Sequence, residues 1–186
     1  MSSETARCIS LRKAITQMPA RYGYRLSQFF VAMTARLTSA ERELVANVLS
    51  PAELRLFERM PQHDQRHCLD VYRLLLRGGY ADTLLLRAAL LHDCGKVDDD
   101  GRPIPLLYYG LFVILKRVAP GLYAWAARDG RGPLRPFAIH ITHDERSARM
   151  AEAAGSPPAL VATLRDYAER RVTERTRALS WADNQV

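Results

Sequence analysis

The sequence predicts an all-α protein, and three observations carry that prediction. Apolar residues recur at helical spacing through most of the chain. Capping residues and breakers divide those runs into segments of helical length. No stretch alternates apolar and polar residues as a half-buried strand would, and no internal repeat is present.

Taken in order, residues 3–18 read as a weakly amphipathic helix closed by Pro19, and residues 21–23 as a linker. Leu26, Phe29, Phe30, Met33 and Leu37 then follow helical spacing. Thr38-Ser39 supply a cap for the next helix. Ser50-Pro51-Ala52-Glu53 combines a capping box with proline at the first helical position. That helix presents Leu54, Phe57 and Met60 and stops at Pro61. A further helix carries His67, Val71, Leu74 and Leu75 and ends at Gly78-Gly79.

Asp82 caps the most apolar helix, LLLRAALLHDCGKV, which is expected to carry His92-Asp93 within it and to end at Gly95-Lys96. Residues 97–105 form a polar loop with the acidic run Asp98-Asp99-Asp100. Apolar helices are expected around residues 106–118 and 122–128, separated by Pro120-Gly121. Residues 129–136 read as a glycine- and proline-rich loop. A helix from about Asp144 ends at Gly155, another runs from Ser156-Pro157-Pro158 to about Arg171, and a last short one reaches Asp183. The expected organisation is an N-terminal helical extension, residues 1–22, and one helical domain, residues 23–186.

Composition sets the class. With 48% hydrophobic and 25% charged residues the chain is ordinary for a globular domain. Lys13, Lys96 and Lys116 are the only lysines among 27 cations, so the net charge of +7 is carried mainly by arginine. Arginine suits planar, bidentate contact with phosphate or carboxylate, although such a composition also follows from a GC-biased genome. Cys8, Cys68 and Cys94 form no CxxC, so neither a zinc knuckle nor a disulfide framework is suggested. The start lacks the apolar core of a secretory signal, and residues 106–115 make only about half of the ~20 residues that a membrane span needs. A cytoplasmic protein without membrane partners is expected.

Burying a histidine and a carboxylate at the end of an apolar helix is costly unless they pair or bind a metal. His-Asp alone is weak evidence, because three of the five histidines precede an aspartate: His63, His92 and His143. His92-Asp93 differs in its apolar approach and its GK exit. Neighbouring helical residues point about 100° apart, so one ion could touch both only from beside the helix, with other ligands from facing helices. His67 and Asp183 are placed to supply them. Two imidazoles and two carboxylates suit Mn²⁺, Fe²⁺, Co²⁺, Ni²⁺ or Zn²⁺, and Mg²⁺ less well. The apolar lead-in to Asp183, LSWAD, argues that the C-terminal end is docked rather than frayed.

The order His67 … His92-Asp93 … Asp183 resembles the HD-domain family of metal-dependent phosphohydrolases, over roughly residues 57–183. The resemblance implies an all-α HD-type helical bundle, a divalent metal on those four residues, and hydrolysis of a phosphate ester. Asp93 and Lys96 would be catalytic, with Lys96 near the substrate phosphate, and Arg66, Arg146 and His143 are further candidates for substrate contact. The implied substrate is small and phosphorylated, a nucleotide first among the options, with nucleic acid less favoured. Members with two metals add histidines between the pair and the last aspartate. His140 and His143 in HITHDERSARMAEAAG fall in that interval, but Arg146 stands where such members often have glycine, and LRDYAERR lacks the next histidine. A complete second site is therefore not expected. His63 could touch substrate from the first turn of its helix, but a surface histidine is the plainer reading. Two alternatives remain at this stage: a di-iron oxygenase on the same fold, and a non-catalytic module that binds a nucleotide or nucleic acid.

Overall fold

The computed structural model describes residues 36–186. Among these there are nine α-helices, two single 3-10 turns and no strand beyond an isolated bridge between Val97 and Pro103. The helices are α1 (Ser39–Val48), α2 (Pro51–Arg59), α3 (Gln62–Arg77), α4 (Thr83–Leu91), α5 (Leu106–Val118), α6 (Pro120–Asp129), α7 (Arg135–Ala153), α8 (Pro158–Ala168) and α9 (Glu174–Asp183). The expected helix over 3–18, the linker at 21–23, most of the helix from Leu26 and the boundary after residue 22 lie outside the described residues. Leu37, its last position, is buried but non-helical, because Thr38 is extended to cap α1.

Local chemistry sets the helix starts. Thr38 with Glu41, Ser50 with Glu53 and Thr173 with Thr176 form capping boxes, each side chain and backbone N–H satisfied reciprocally. Asp82 accepts from the backbone N–H of Leu84 and Leu85 at the start of α4. Three helices end alike. A left-handed residue lets the following N–H reach back five positions: Gly79 after α3, Gly155 after α7 and Arg170 after α8.

Four boundaries differ from the sequence expectation. Helix α4 stops at Leu91, so His92 is its C-cap and Asp93 lies beyond it. Pro120-Gly121 begins α6 rather than separating two helices, since proline is tolerated in a first turn. Helix α7 starts at Arg135, nine residues before Asp144, because Pro136 also sits in a first turn and Phe137 and Ile139 gain burial there. Helix α8 ends at Ala168, where Arg170 turns left-handed.

Apolar side chains collect in two clusters. The larger joins α1–α4 with the C-terminal half of α7, α8 and α9; α4 lies within it and buries Leu85, Leu86, Ala88, Ala89, Leu90 and Leu91. The smaller gathers Ile104, Phe112, Tyr123, Phe137 and Ile139 from α5, α6 and the start of α7. A buried polar tie crosses the larger core: Glu53 accepts from Arg87 on α4 (2.6 Å) and from Ser156 before α8 (2.6 Å).

Among the described glycines the closest approach is at Gly95, where α7 lies against the 3-10 turn Cys94–Lys96. A Cβ on Gly95 would lie 2.1 Å from the His143 carbonyl and 2.6 Å from the Ser147 nitrogen. Backbone meets backbone here, so no side chain can yield. Gly95 was expected as a helix terminator, and its role is to permit this contact. Gly95→Ala should force α7 off the turn and destabilise the fold by about 3 kcal/mol or more, read by denaturant unfolding; an unchanged midpoint would contradict the geometry.

Glu41 accepts from Arg66 (2.8 Å) and Arg73 (2.7 Å). Arg66, followed by Thr38 and Arg73, outweighs burial and holds its carboxyl down from 4.5 to about 2. A lowered pKa contributes stability that is complete above the unfolded value and lost as pH falls through the folded one. Acid titration should therefore show wild type losing stability between pH 4.5 and about 2 that a Glu41→Gln variant does not have to lose.

Candidate metal centre

Three helices and one turn converge on a single point. Helix α3 supplies His67, the end of α4 supplies His92 with Asp93 just beyond, the turn supplies Lys96, and Asp183 is the last residue of α9. Helix α9 packs on α3 and α4 with Ala178, Leu179 and Ala182 buried, so this end of the chain is docked. His67 Nε2 lies 2.8 Å from Asp183 Oδ1 and 3.9 Å from Asp93 Oδ2. His92 Nε2 lies 3.5 Å from Asp183 Oδ1 and 3.8 Å from Asp93 Oδ2.

The state of His92 is the informative detail. Its ring is 2% exposed, and Nδ1 lies 2.9 Å from the carbonyl of Ala89 in its own helix. That contact assigns the proton to Nδ1 and leaves a lone pair on Nε2. Nε2 is buried without a hydrogen-bond partner among the described residues. An orphaned acceptor beside a second imidazole and two carboxylates is what a cation would satisfy. Ligand atoms of His67, His92 and Asp93 all lie within 4.8 Å of one another, so this buried group could hold a metal ion, with Asp183 against both imidazoles.

Charges at the cluster are strongly coupled. Burial disfavours the Asp93 carboxylate, but Lys96 and His92 hold its pKa well below the usual range. Burial likewise opposes ionised Asp183, and hydrogen bonds from His67 and Tyr167 together with the nearby charge of His92 outweigh it, leaving the pKa far below normal. Burial lowers His92, yet the charge of Asp93, joined by Cys68 and Asp183, outweighs it and holds the ring well above an ordinary imidazole. A proton and a metal ion thus compete for the same nitrogen.

A further ring of groups supports these residues. Lys96 Nζ donates to Asp93 Oδ2 (2.5 Å) and to the buried Asp64 (3.3 Å), so it is no solvated lysine. Tyr109 donates to the other oxygen of Asp64 (3.2 Å), and Lys96 also lies over its ring. Tyr167 donates to Asp183 Oδ2 (2.7 Å). Ser147 donates to the His92 carbonyl (2.6 Å) and accepts from the Gly95 N–H (2.8 Å).

Other candidates fall at different distances. His143 Nε2 approaches Asp93 Oδ1 (3.4 Å) and Asp144 Oδ1 (3.2 Å), at the margin of the cluster. His140 instead stacks on Phe112, its Nδ1 2.6 Å from the Tyr123 hydroxyl, and burial pushes it down to about 3. His63 packs edge-on against Tyr109 beside Asp64 and is more buried than a surface histidine. Arg66 is committed to Glu41 and Asp70. Arg146 holds the carbonyls of Gly95 and Val97 and the carboxylate of Asp99, anchoring the loop after Lys96. Neither guanidinium turns to the cluster.

Sequence reasoning passed over Asp64, Tyr109, Tyr167 and Ser147 as members of this site. Asp64 carried one signal, standing three residues before His67 and so on the same face of α3. The two tyrosines and Ser147 carried none, since only the tertiary fold brings them near. No protein-family model, no curated protein and no solved structure matches this chain.

Purified protein should bind about one divalent transition-metal ion per chain by elemental analysis, and His92→Ala or Asp93→Ala should abolish it. Tyr167→Phe should keep the ligands and weaken affinity by roughly 10- to 100-fold, as loss of a ligand's hydrogen-bond partner does. Equal metal content in wild type and Asp93→Ala would remove the assignment.

Proposed function

We propose that this chain is a metal-dependent phosphohydrolase of the HD type, acting on a small phosphate ester, with nucleotides the leading substrate class. The buried, unpartnered Nε2 of His92 carries this reading, together with the convergence of His67, Asp93 and Asp183 around it. A divalent ion bound there would lower the pKa of a water and polarise a phosphoryl oxygen.

The protein groups divide the remaining work. Lys96 is held charged because Asp93 and Asp64 outweigh the burial that opposes it, and it can neutralise an incoming phosphate next to Asp93. Its position is fixed from three sides, by the two carboxylates and the Tyr109 ring. His143 has Nδ1 2.7 Å from the carbonyl of His140, which orients Nε2 toward Asp93. With the ring proton on Nδ1, Nε2 could accept a proton from an attacking water and afterwards pass it to a leaving oxygen. Arg170 lies over the Tyr167 ring and 3.4 Å from Asp144, and it lines an open cavity of about 390 Å³ with Arg177 and Trp181. That cavity meets the cluster only through Tyr167, and none of the four proposed ligands lines it.

One observation favours a second reading. The Lys96 ammonium already contacts Asp93 Oδ2 at 2.5 Å. If lysine were the resident cation, the cluster would be a non-catalytic module for phosphorylated ligands. The di-iron alternative has less support, because His140 is turned into the aromatic cluster and α8 carries no histidine.

A screen of nucleotides and phosphate esters with added Mn²⁺, Co²⁺ or Ni²⁺ tests the proposal. Phosphate release should appear with metal and fall to background in Asp93→Ala, with helical content retained. Bound metal without turnover of any ester would reject hydrolysis. Nucleotide binding without metal would favour the lysine-centred module.

A further inference from the structure

Helix α5 is unusual in what it leaves outside. Of its 13 residues only Phe112 is fully buried. Leu107 is 83% exposed and Val118 76%, and Leu111 and Ile114 fall between them on one stripe at helical spacing. Val113 is exposed beside that stripe, and α6 adds Leu122 and Trp125, the latter 53% exposed. Single exposed apolar residues are normal, but a contiguous face of this kind marks an interaction surface.

We propose that the α5–α6 hairpin docks on the interfacial region of an anionic lipid bilayer. Charge identifies the occupant. Over residues 104–131 the one acidic side chain is Asp129, the exposed last residue of α6, against the exposed cations Lys116, Arg117, Arg128 and Arg131, so the hairpin carries a net positive charge. Apolar side chains with tryptophan, bordered by cations, are the composition of a surface that settles at the headgroup boundary. A second copy of the chain fits poorly, since pairing this face with itself would bring like charges together. The hairpin cannot cross the bilayer: 13 residues span about 20 Å, and no described helix is long and apolar enough. It would lie in the plane of the membrane. The buried side of α5 carries Tyr109, which bonds Asp64 in the cluster, so docking would set the metal centre close to the lipid surface.

Sedimentation of the full chain with vesicles tests this directly. The protein should pellet with vesicles containing phosphatidylglycerol and stay in solution with phosphatidylcholine alone. Arg117→Glu with Arg128→Glu should lower partitioning by roughly tenfold or more, since each basic residue near an anionic surface contributes about fivefold. Leu107→Asp with Ile114→Asp should abolish it, and both pairs alter exposed positions, so circular dichroism should be unchanged. In a Trp181→Phe background, Trp125 emission should shift to the blue on adding anionic vesicles. No pelleting with those vesicles, or equal pelleting of the Leu107/Ile114 variant, would overturn the proposal. So would self-association of the wild type that the same variant removes, since that assigns the face to a second copy.

Discussion

Everything at the cluster depends on how closely α7 lies against the turn that follows α4. Ser147 reaches across this contact and satisfies two backbone groups at once, the carbonyl of His92 and the N–H of Gly95. Both groups are at a helix end, where the ladder no longer provides partners. Without that hydroxyl they would be buried and unpaired, at a cost of about 1–3 kcal/mol each. Gly95 makes the contact possible by having no side chain, and Arg146 extends it along the next carbonyls. The His-Asp pair is therefore fixed from the backbone outward, before any ligand interaction is considered.

That arrangement explains which parts of the molecule were legible in the sequence. Capping boxes at Thr38 and Ser50, the Asp82 cap and the Gly79 and Gly155 ends depend on residues a few positions apart, and they stand where local chemistry placed them. The early start of α7 was hidden because Gly130, Gly132, Pro133 and Pro136 read together as a loop. Burial of Phe137 and Ile139 against α5 and α6, a long-range effect, outweighs that signal. The left-handed Arg170 was equally hidden, because arginine carries no sign of a helix end.

The site follows the same division. Order along the chain was enough to nominate His67, His92, Asp93 and Asp183, and the fold brings all four together. Arginine gave no such guidance. With so many guanidinium groups in the composition, sequence alone could not separate Arg66, a partner of Glu41, from Arg170, which lies beside Tyr167 and Asp144. Tyr109 shows how chemistry can be masked by hydrophobicity: it sits in the apolar run of α5, yet its hydroxyl orients Asp64.

Helix α7 belongs to both apolar clusters. Phe137 and Ile139 pack with α5 and α6, while Ala148 and Ala151 pack with the larger core. His143 and Ser147 lie between these two ends of one rigid rod. Regions of a protein that open separately usually do so at a boundary where few contacts cross. Here the boundary is bridged by the helix that brings His143 to within 3.4 Å of Asp93. Among the described helices α7 alone contributes buried side chains to both clusters, so the outer hairpin and the His-Asp pair are packed against one shared element.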